Sequence, residues 1–158
     1  MDIANAIFLG APLKMFDLGD HLRVPAPLGV FYHHGIVVEN TDVIHFIKKQ
    51  KGSLPIIDQT SWSVFSERFS KKVFEVQHSR PLPPMQVVVR AKALLKLHEA
   101  GMLPYKLSKF NCEHLANWCK IGISYSQQVE DNPELAATIE FVEELYLDVK
   151  RDVFKKAM

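Results

Sequence analysis

The stretch HHGIVVENTDVIHF, from His33 to Phe46, is the part of the sequence that decides the fold. Two short runs rich in β-branched residues, His33–Glu39 and Asp42–Ile47, flank the pair Asn40-Thr41. β-Branched residues favour strands, and a short polar pair between two such runs is typical of a turn. We therefore predict a β-hairpin, which would form part of an antiparallel sheet.

Further strands are predicted on both sides of this hairpin. They lie at His21–Val24, Ser61–Ser66 and Lys72–Gln77. The PLPP segment from Pro81 to Pro84 follows the last of them, and it ends strand pairing because proline has no N–H to donate to a ladder. The first half of the chain is thus predicted to supply the strands.

The second half is predicted to be helical. Ala, Leu and Lys predominate over Met85–Ala100, and Gly101 follows as a terminator. A second helix is expected to begin near Asn111. A third is expected over about Pro133–Lys156, with Asn132 as its cap and one apolar stripe along it. Strands followed by helices indicate an α+β fold.

Length and composition narrow the class of protein. The chain has 158 residues, the size of one domain, and 19 basic against 18 acidic side chains give a net charge of +1. This balance gives no electrostatic reason to expect a nucleic-acid partner. The first residues lack the basic cluster of a secretory signal, and no apolar run approaches the ~18 residues of a membrane span. We expect a cytoplasmic protein with one domain over residues 1–158, in which the cysteines stay reduced.

The stretch FNCEHLANWCK, over Phe110–Lys120, contains both cysteines of the chain. On a helix, Cys112 and Cys119 lie within about 20° of one another and face the core, whereas His114 points the opposite way. Asn111 is a favoured cap residue, which puts Cys112 in the first turn, where unpaired N–H groups and the helix dipole favour a thiolate. We therefore predict that Cys112 is a nucleophile and that Cys119 belongs to the core.

A thiol nucleophile requires a base, and the hairpin supplies the candidates. His33 and His45 are twelve residues apart, an even number that puts both side chains on one face of uninterrupted strands. His34 then faces the other side. Two imidazoles on one face can serve as a base and as the group that orients it. The prediction is a triad of Cys112, His33 and His45, with His34 as the alternative base.

Simpler interpretations of the same residues stay open. Taken alone, Cys112 is consistent with a buried structural cysteine, and Glu113 with a negative charge that stabilises the first helical turn. Cys112, Cys119, His33 and His45 have the chemistry of a tetrahedral zinc set, but structural zinc sites usually draw closely spaced pairs such as C-x-x-C. We therefore expect neither a metal nor a cofactor.

Four segments of the chain together resemble a known enzyme family. They are GDHLRV (Gly19–Val24), HHGIVVENTDVIHF (His33–Phe46), NCEHLANWCKIG (Asn111–Gly122) and SQQV (Ser126–Val129). In order and spacing they resemble the lecithin:retinol acyltransferase family, a branch of the permuted papain-like thiol enzymes, and within it the compact microbial or viral members. The resemblance covers about residues 19–129. It implies a small antiparallel sheet packed against about three helices.

The resemblance also implies roles for individual residues. Its pattern gives Cys112 as the nucleophile, His33 as the base and His45 as the residue that orients the base. It implies an acyl chain taken from a glycerophospholipid, with no cofactor. The chain departs from many members at the turn Glu39–Asp42, and we find no hydrophobic C-terminal anchor like that of the vertebrate membrane-bound members.

These observations lead to one preferred function and two alternatives. A cysteine peptidase or amidase of the NlpC-like branch would use the same three residues, and a noncatalytic binding module would use none of them. We predict instead a thiol-dependent acyltransferase or acyl hydrolase that acts on lipid esters through a Cys-acyl intermediate. Its partner is then a lipid or acyl-ester substrate, and its contact with a membrane is peripheral.

Overall fold

The predicted hairpin lies at the centre of an antiparallel sheet. The structure is a computed structural model, described over residues 16–25, 32–50, 52–67, 72–103, 105–106, 110–131 and 133–134. Within these ranges the strands are β1 (His21–Pro25), β2 (Tyr32–Val37), β3 (Val43–Ile47), β4 (Ile56–Thr60) and β5 (Phe74–Glu75). The helices there are α1 (Trp62–Glu67), α2 (Pro84–Glu99), α3 (Cys112–Ile121) and α4 (Gln127–Asp131). The predicted α+β fold is confirmed.

The strands follow the order β4-β3-β2-β1-β5 across the sheet, and every neighbouring pair is antiparallel. In the central hairpin, Gly35 lies opposite His45 and Val37 lies opposite Val43. A single turn of 3-10 helix at Glu39–Thr41 connects the two strands. The hairpin and the place of its turn are therefore as the sequence predicts.

Helices cover both faces of the sheet. Successive side chains of a strand point to opposite faces, so each strand contributes to two separate cores. One face packs against α1. The buried side chains there are Leu22, Val24, Val37 and Val43 from the strands and Phe65 from α1. The other face packs against α2 and α3, and its buried side chains include Ile36, Ile44, Phe46, Val87, Leu94 and Leu115. The sheet thus separates α1 from α3.

Gly35 allows α1 to approach β2 closely. A Cβ atom at this position would lie 2.5 Å from Cγ1 of Val43 and 2.9 Å from Cε2 of Phe65, closer than real Cβ atoms come to other heavy atoms. The missing side chain lets the Phe65 ring lie between two imidazoles, with centroid distances of 5.3 Å to His33 and 5.2 Å to His45. The packing of Val43 and of the Phe65 ring therefore requires a glycine in the middle of this strand.

Two predicted strands are corrected by the structure. The segment Ser61–Ser66 is helical and forms most of α1, while the strand of this region is β4, one segment earlier. The helical conformation buries Phe65 completely against the sheet, so tertiary packing overrides the local strand preference. The predicted strand Lys72–Gln77 is reduced to the two residues of β5, which pair with the middle of β1.

The helices agree more closely with prediction. α2 matches the predicted range to within one residue at each end, and Gly101 follows it with φ at +83°. α3 begins next to Asn111, as predicted, whereas α4 has no counterpart among the predicted helices. The predicted helix over Pro133–Lys156 lies, beyond Glu134, outside the described residues. In the described part of the chain, no helix has the length and hydropathy needed to span a bilayer.

Candidate active site

Asn111 fixes the start of α3 and with it the position of Cys112. Its Oδ1 accepts the backbone N–H groups of Glu113 at 2.9 Å and His114 at 3.1 Å. Nδ1 of His114 accepts the N–H of Asn111 in return, at 3.0 Å. This reciprocal capping box satisfies donors that a helix start leaves unpaired. The half-buried Cys112 is therefore held at the first position of a well-defined helix.

The sulfur of Cys112 lies against the edge of β2. Sγ donates to the carbonyl oxygen of Tyr32 at 3.4 Å, and the backbone N–H of His34 is hydrogen-bonded to the sulfur. The paired residues of β2 and β3 end at Gly35 and His45, so no strand of the described residues pairs with this edge of β2 at the thiol. The sulfur thus lies beside the two peptide groups that flank His33.

His33 and His45 meet on the face of the sheet that α1 covers. Nε2 of His33 lies 2.7 Å from Nδ1 of His45, and Nε2 of His45 lies 2.6 Å from Oγ1 of Thr60. Both imidazoles are buried. The two histidines share a face, as their spacing predicts. Thr60 extends the row to a third strand, and no sequence pattern marks it because it enters only through the β3–β4 register.

Burial raises the pKa of the Cys112 thiol to about 12. Backbone N–H groups of His34, Glu113 and Cys112 itself favour the thiolate, while the charge of Glu113 opposes it. The sequence predicts a thiolate favoured by the helix start, and the structure corrects this: the helix contributes, but desolvation is the larger effect. The resting thiol is protonated at neutral pH, and its ionisation requires a base.

Glu113 connects α3 to α4. Its Oε1 accepts the hydroxyl of Ser126 at 2.6 Å and the backbone N–H of Gln128 at 2.9 Å. Oε1 of Gln128 accepts, in turn, the backbone N–H of Tyr32. The carboxylate next to the thiol is therefore linked to the residue whose carbonyl oxygen the thiol contacts. This role exceeds the stabilising charge predicted for Glu113, and Ser126 and Gln128 are marked in the sequence only as part of SQQV.

His34, the alternative base, lies on the opposite face of β2 from His33. Its Nδ1 lies 2.7 Å from Nε2 of His21, whose Nδ1 lies 2.9 Å from Nε2 of His78. Its Nε2 faces Oε2 of Glu113 at 3.7 Å. Sequence reasoning misses this cluster, because His21 and His34 are brought together by the register of β1 on β2 and His78 by the segment after β5.

Cys119 and His114 lie apart from these groups. Cys119 is fully buried in the core beside α2, and burial raises its pKa to about 12. The sequence predicts His114 on the side of the helix opposite the cysteines, and in the structure its Nδ1 accepts the N–H of Asn111 and so closes the cap of its own helix. Across the residues that the structure describes, no three His, Cys, Asp or Glu side chains are grouped so that they could hold a metal ion.

Comparison with known proteins identifies the family to which this arrangement belongs. The model of a family described as lecithin retinol acyltransferase matches residues 14–125, more than half of the chain, and the match includes His33, His45 and Cys112. No curated protein matches the sequence. With its thiol at a helix start, against the strand that carries one of two hydrogen-bonded histidines, the chain belongs to the lecithin retinol acyltransferase family.

Proposed function

We propose that the protein is a thiol-dependent acyltransferase or acyl hydrolase that acts on lipid esters through an S-acyl intermediate on Cys112. The observation that carries the proposal is the position of the sulfur, 3.4 Å from the carbonyl oxygen of Tyr32 and beside the peptide groups that flank His33. Membership of a family of acyltransferases supports acyl transfer as the reaction class. The substrate is then a membrane lipid, reached by peripheral contact.

His33 is the base in this proposal. Its Nε2 contacts Nδ1 of His45, so Nδ1 of His33 is the nitrogen that receives the thiol proton. His45 contacts Thr60 on its other side, which fixes the plane of its ring and hence the orientation of the base. His34 is less suited to the role, because its nitrogens are directed at His21 and Glu113.

The reaction takes place in two steps. In the first, the proton moves from Sγ to Nδ1 of His33, the sulfur attacks the ester carbonyl carbon, and His33 gives the proton to the leaving alcohol oxygen. A thioester on Cys112 remains. In the second, His33 takes a proton from water, giving hydrolysis, or from an acceptor alcohol or amine, giving transfer. The incoming atom attacks the thioester carbon and the proton returns to Sγ.

The oxyanion of each tetrahedral intermediate requires hydrogen-bond donors. We assign this role to the backbone N–H of Cys112. The next two N–H groups of α3, those of Glu113 and His114, already donate to Oδ1 of Asn111. The helix start therefore offers fewer donors to a substrate than an uncapped helix would.

The proposal is tested by intact-protein mass spectrometry after incubation with vesicles of diacyl phosphatidylcholine. We expect a mass increase of one acyl chain, carried by Cys112, which is lost slowly to the solvent water or faster to an added amine. Cys112→Ala is expected to remove the adduct completely. Cys119→Ala is the matched control, because Cys119 lies in the same helix but inside the core, and it should leave the adduct in place.

Two outcomes would contradict the proposal. An adduct that forms with a peptide thioester or peptide amide but with no phospholipid would support the peptidase or amidase function instead. No adduct with either substrate, together with unchanged lipid in the presence of the wild-type protein, would favour a noncatalytic binding module. An adduct that survives in Cys112→Ala would remove Cys112 from the mechanism.

A further inference from the structure

A row of three histidines leads from the surface to Glu113, the residue after the proposed nucleophile. His78 is partly exposed, whereas His21, His34 and Glu113 are buried. Nε2 of His78 lies 2.9 Å from Nδ1 of His21, and Nε2 of His21 lies 2.7 Å from Nδ1 of His34. The row ends where Nε2 of His34 faces Oε2 of Glu113 at 3.7 Å. At every step an Nε2 atom is directed at the next residue inward.

The carboxylate at the inner end decides which nitrogens carry protons. A neutral imidazole has one N–H and one lone pair. A lone pair on Nε2 of His34 would face the negative charge of Glu113 and be repelled, so this nitrogen carries the proton. Nδ1 of His34 then accepts from Nε2–H of His21, and Nδ1 of His21 accepts from Nε2–H of His78. In this pattern all three rings are Nε2–H tautomers, and each N–H is directed at the next residue toward Glu113.

The surroundings keep the inner imidazoles uncharged. Burial lowers the pKa of His34 to about 3 and lowers the pKa of His21 well below its ordinary value. The cations of Arg23 on β1 and Lys120 on α3 lower the pKa of His21 further. Glu113 therefore faces one neutral imidazole, that of His34, whose buried Nε2 lies 3.7 Å from Oε2 and has no hydrogen-bond partner among the described residues. An N–H at this position stabilises the nearby carboxylate as a dipole, without a salt bridge.

The other oxygen of Glu113 determines how α4 is placed. Oε1 accepts from Ser126 and from the N–H of Gln128, and Gln128 accepts the N–H of Tyr32. The carbonyl oxygen of Tyr32 is the acceptor of the Cys112 thiol. The contacts therefore form a closed loop from the residue after the nucleophile back to the sulfur. A shift of the carboxylate would be transmitted to the strand edge on which the sulfur lies.

We propose that Glu113 is a positioning residue for the nucleophile, and that His34, His21 and His78 form a tautomer relay that supports its charge and connects it to the surface. The proposal rests on the proposed function of Cys112. It specifies where the protons lie: while residue 113 is an anion, each histidine carries its proton on Nε2, on the side toward Glu113. Replacing the anion by a hydrogen-bond donor should move each of these protons to Nδ1.

Glu113→Gln provides this replacement with almost no change of shape. The backbone N–H of Gln128 can only donate, so the amide oxygen of the new side chain must face it, which turns the amide NH₂ toward His34. Nε2 of His34 must then accept, and its proton moves to Nδ1. His21 and His78 follow, so that each ring exchanges an Nε2–H for an Nδ1–H. No ring gains or loses a proton overall.

The test is a two-bond ¹H–¹⁵N correlation spectrum of the histidine rings in the full chain at about pH 7.5. We expect Nε2–H tautomers for His21, His34 and His78 in the wild type, and Nδ1–H tautomers for all three in Glu113→Gln. His98, at the end of α2 and outside the relay, is the internal reference and should not change. Wild-type Nδ1–H tautomers at His34 and His21, or rings unchanged in Glu113→Gln, would overturn the relay.

Positioning itself is tested with the acyl-transfer assay. Glu113→Ala should lower kcat by roughly tenfold to a hundredfold, the cost of a misplaced reacting group, with KM within about twofold. Glu113→Gln, which keeps an acceptor for Gln128, should retain most of kcat. Equal losses in both variants, or a change in KM alone, would refute the positioning role. The tautomer spectrum uses no acyl substrate, so a failure of acyl transfer would overturn the proposed function while leaving the relay testable.

Discussion

His33 and His45 are hydrogen-bonded across the central hairpin, with 2.7 Å between Nε2 of one and Nδ1 of the other. Both rings lie on the α1 face of the sheet, whereas Cys112 is carried by α3, which packs on the other face. The thiol and the histidine pair therefore approach β2 from opposite sides. Beyond the last described residues paired with β3, the sulfur contacts the peptide groups on either side of His33.

The first prediction concerns the group that orients the base. His45→Ala should lower the single-turnover rate of Cys112 acylation by about a hundredfold or more, the usual size of a general-base contribution, because His33 loses its partner. Thr60→Val, which removes only the hydroxyl bonded to His45, should cost roughly 1 kcal/mol, or about fivefold. Rapid-quench measurement with a lipid thioester gives both rates. Equal effects of the two substitutions would contradict the order of the row.

The second prediction concerns the reactivity of the thiol. Because burial raises the pKa of Cys112 to about 12, the rate of its alkylation by iodoacetamide should keep rising, about tenfold per pH unit, from about pH 7 to pH 10. An ordinary cysteine with a pKa near 9.0 would begin to level off within that range. The measurement uses Cys119→Ala so that only one thiol reacts. A plateau in the alkylation rate below pH 9 would mean that Cys112 is already a thiolate in the folded protein, and would contradict the prediction.

The third prediction concerns stability in acid. The pKa of His34 is lowered from 6.5 to about 3, so between these values the unfolded chain binds a proton that the folded protein excludes. The free energy of unfolding must then fall as the pH drops below about 6.5, and His21 adds to the effect in the same direction. Urea unfolding of the wild type and of His34→Phe at about pH 7.5 and 5 tests this. The variant should lose less stability on acidification, and an equal loss would contradict it.

The fourth prediction concerns the glycine under the Phe65 ring. Gly35→Ala would put Cβ 2.5 Å from Cγ1 of Val43, 2.9 Å from Cε2 of Phe65 and 3.3 Å from Cβ of His45. We expect a loss of roughly 1–3 kcal/mol in the free energy of unfolding, the usual cost of overpacking, and slower acylation because His45 is displaced. Adding Phe65→Leu should recover part of both losses. Chemical denaturation and the acylation assay measure the two effects, and additive losses in the double variant would exclude this contact as the cause.

Local sequence signals predict the helices and strands whose ends are marked by turn or capping residues. The hairpin has a polar turn between β-branched runs, α2 has Gly101 after it, and α3 has Asn111 before it, and all three are placed correctly. The segment Ser61–Ser66 was misleading because its aromatic and β-branched residues favour a strand. Its helical form depends on the burial of Phe65 against a distant sheet, which no local pattern records.

The candidate site likewise contains some residues that local patterns identify and others that they do not. The parity of His33 and His45 and the cap at Asn111 are properties of short stretches, so the sequence brings out these residues. Thr60 depends on how β4 pairs with β3, and the contact of His21 with His34 depends on how β1 pairs with β2. The high pKa of Cys112 depends on the depth at which α3 packs. Registers and burial are set by the whole fold, and these parts of the site could not be predicted.

The row of His33, His45 and Thr60 crosses three adjacent strands in the order in which those strands pair, and Cys112 lies at its β2 end against the carbonyl oxygen of Tyr32. Its spacing is therefore the spacing of the sheet itself, about 4.8 Å from one strand to the next. The loops between the elements can change in length without altering it. A slip of β3 by a single residue would turn His45 to the α3 face and leave His33 without its partner. The backbone hydrogen bonds that hold the sheet together therefore also hold the two histidines in contact.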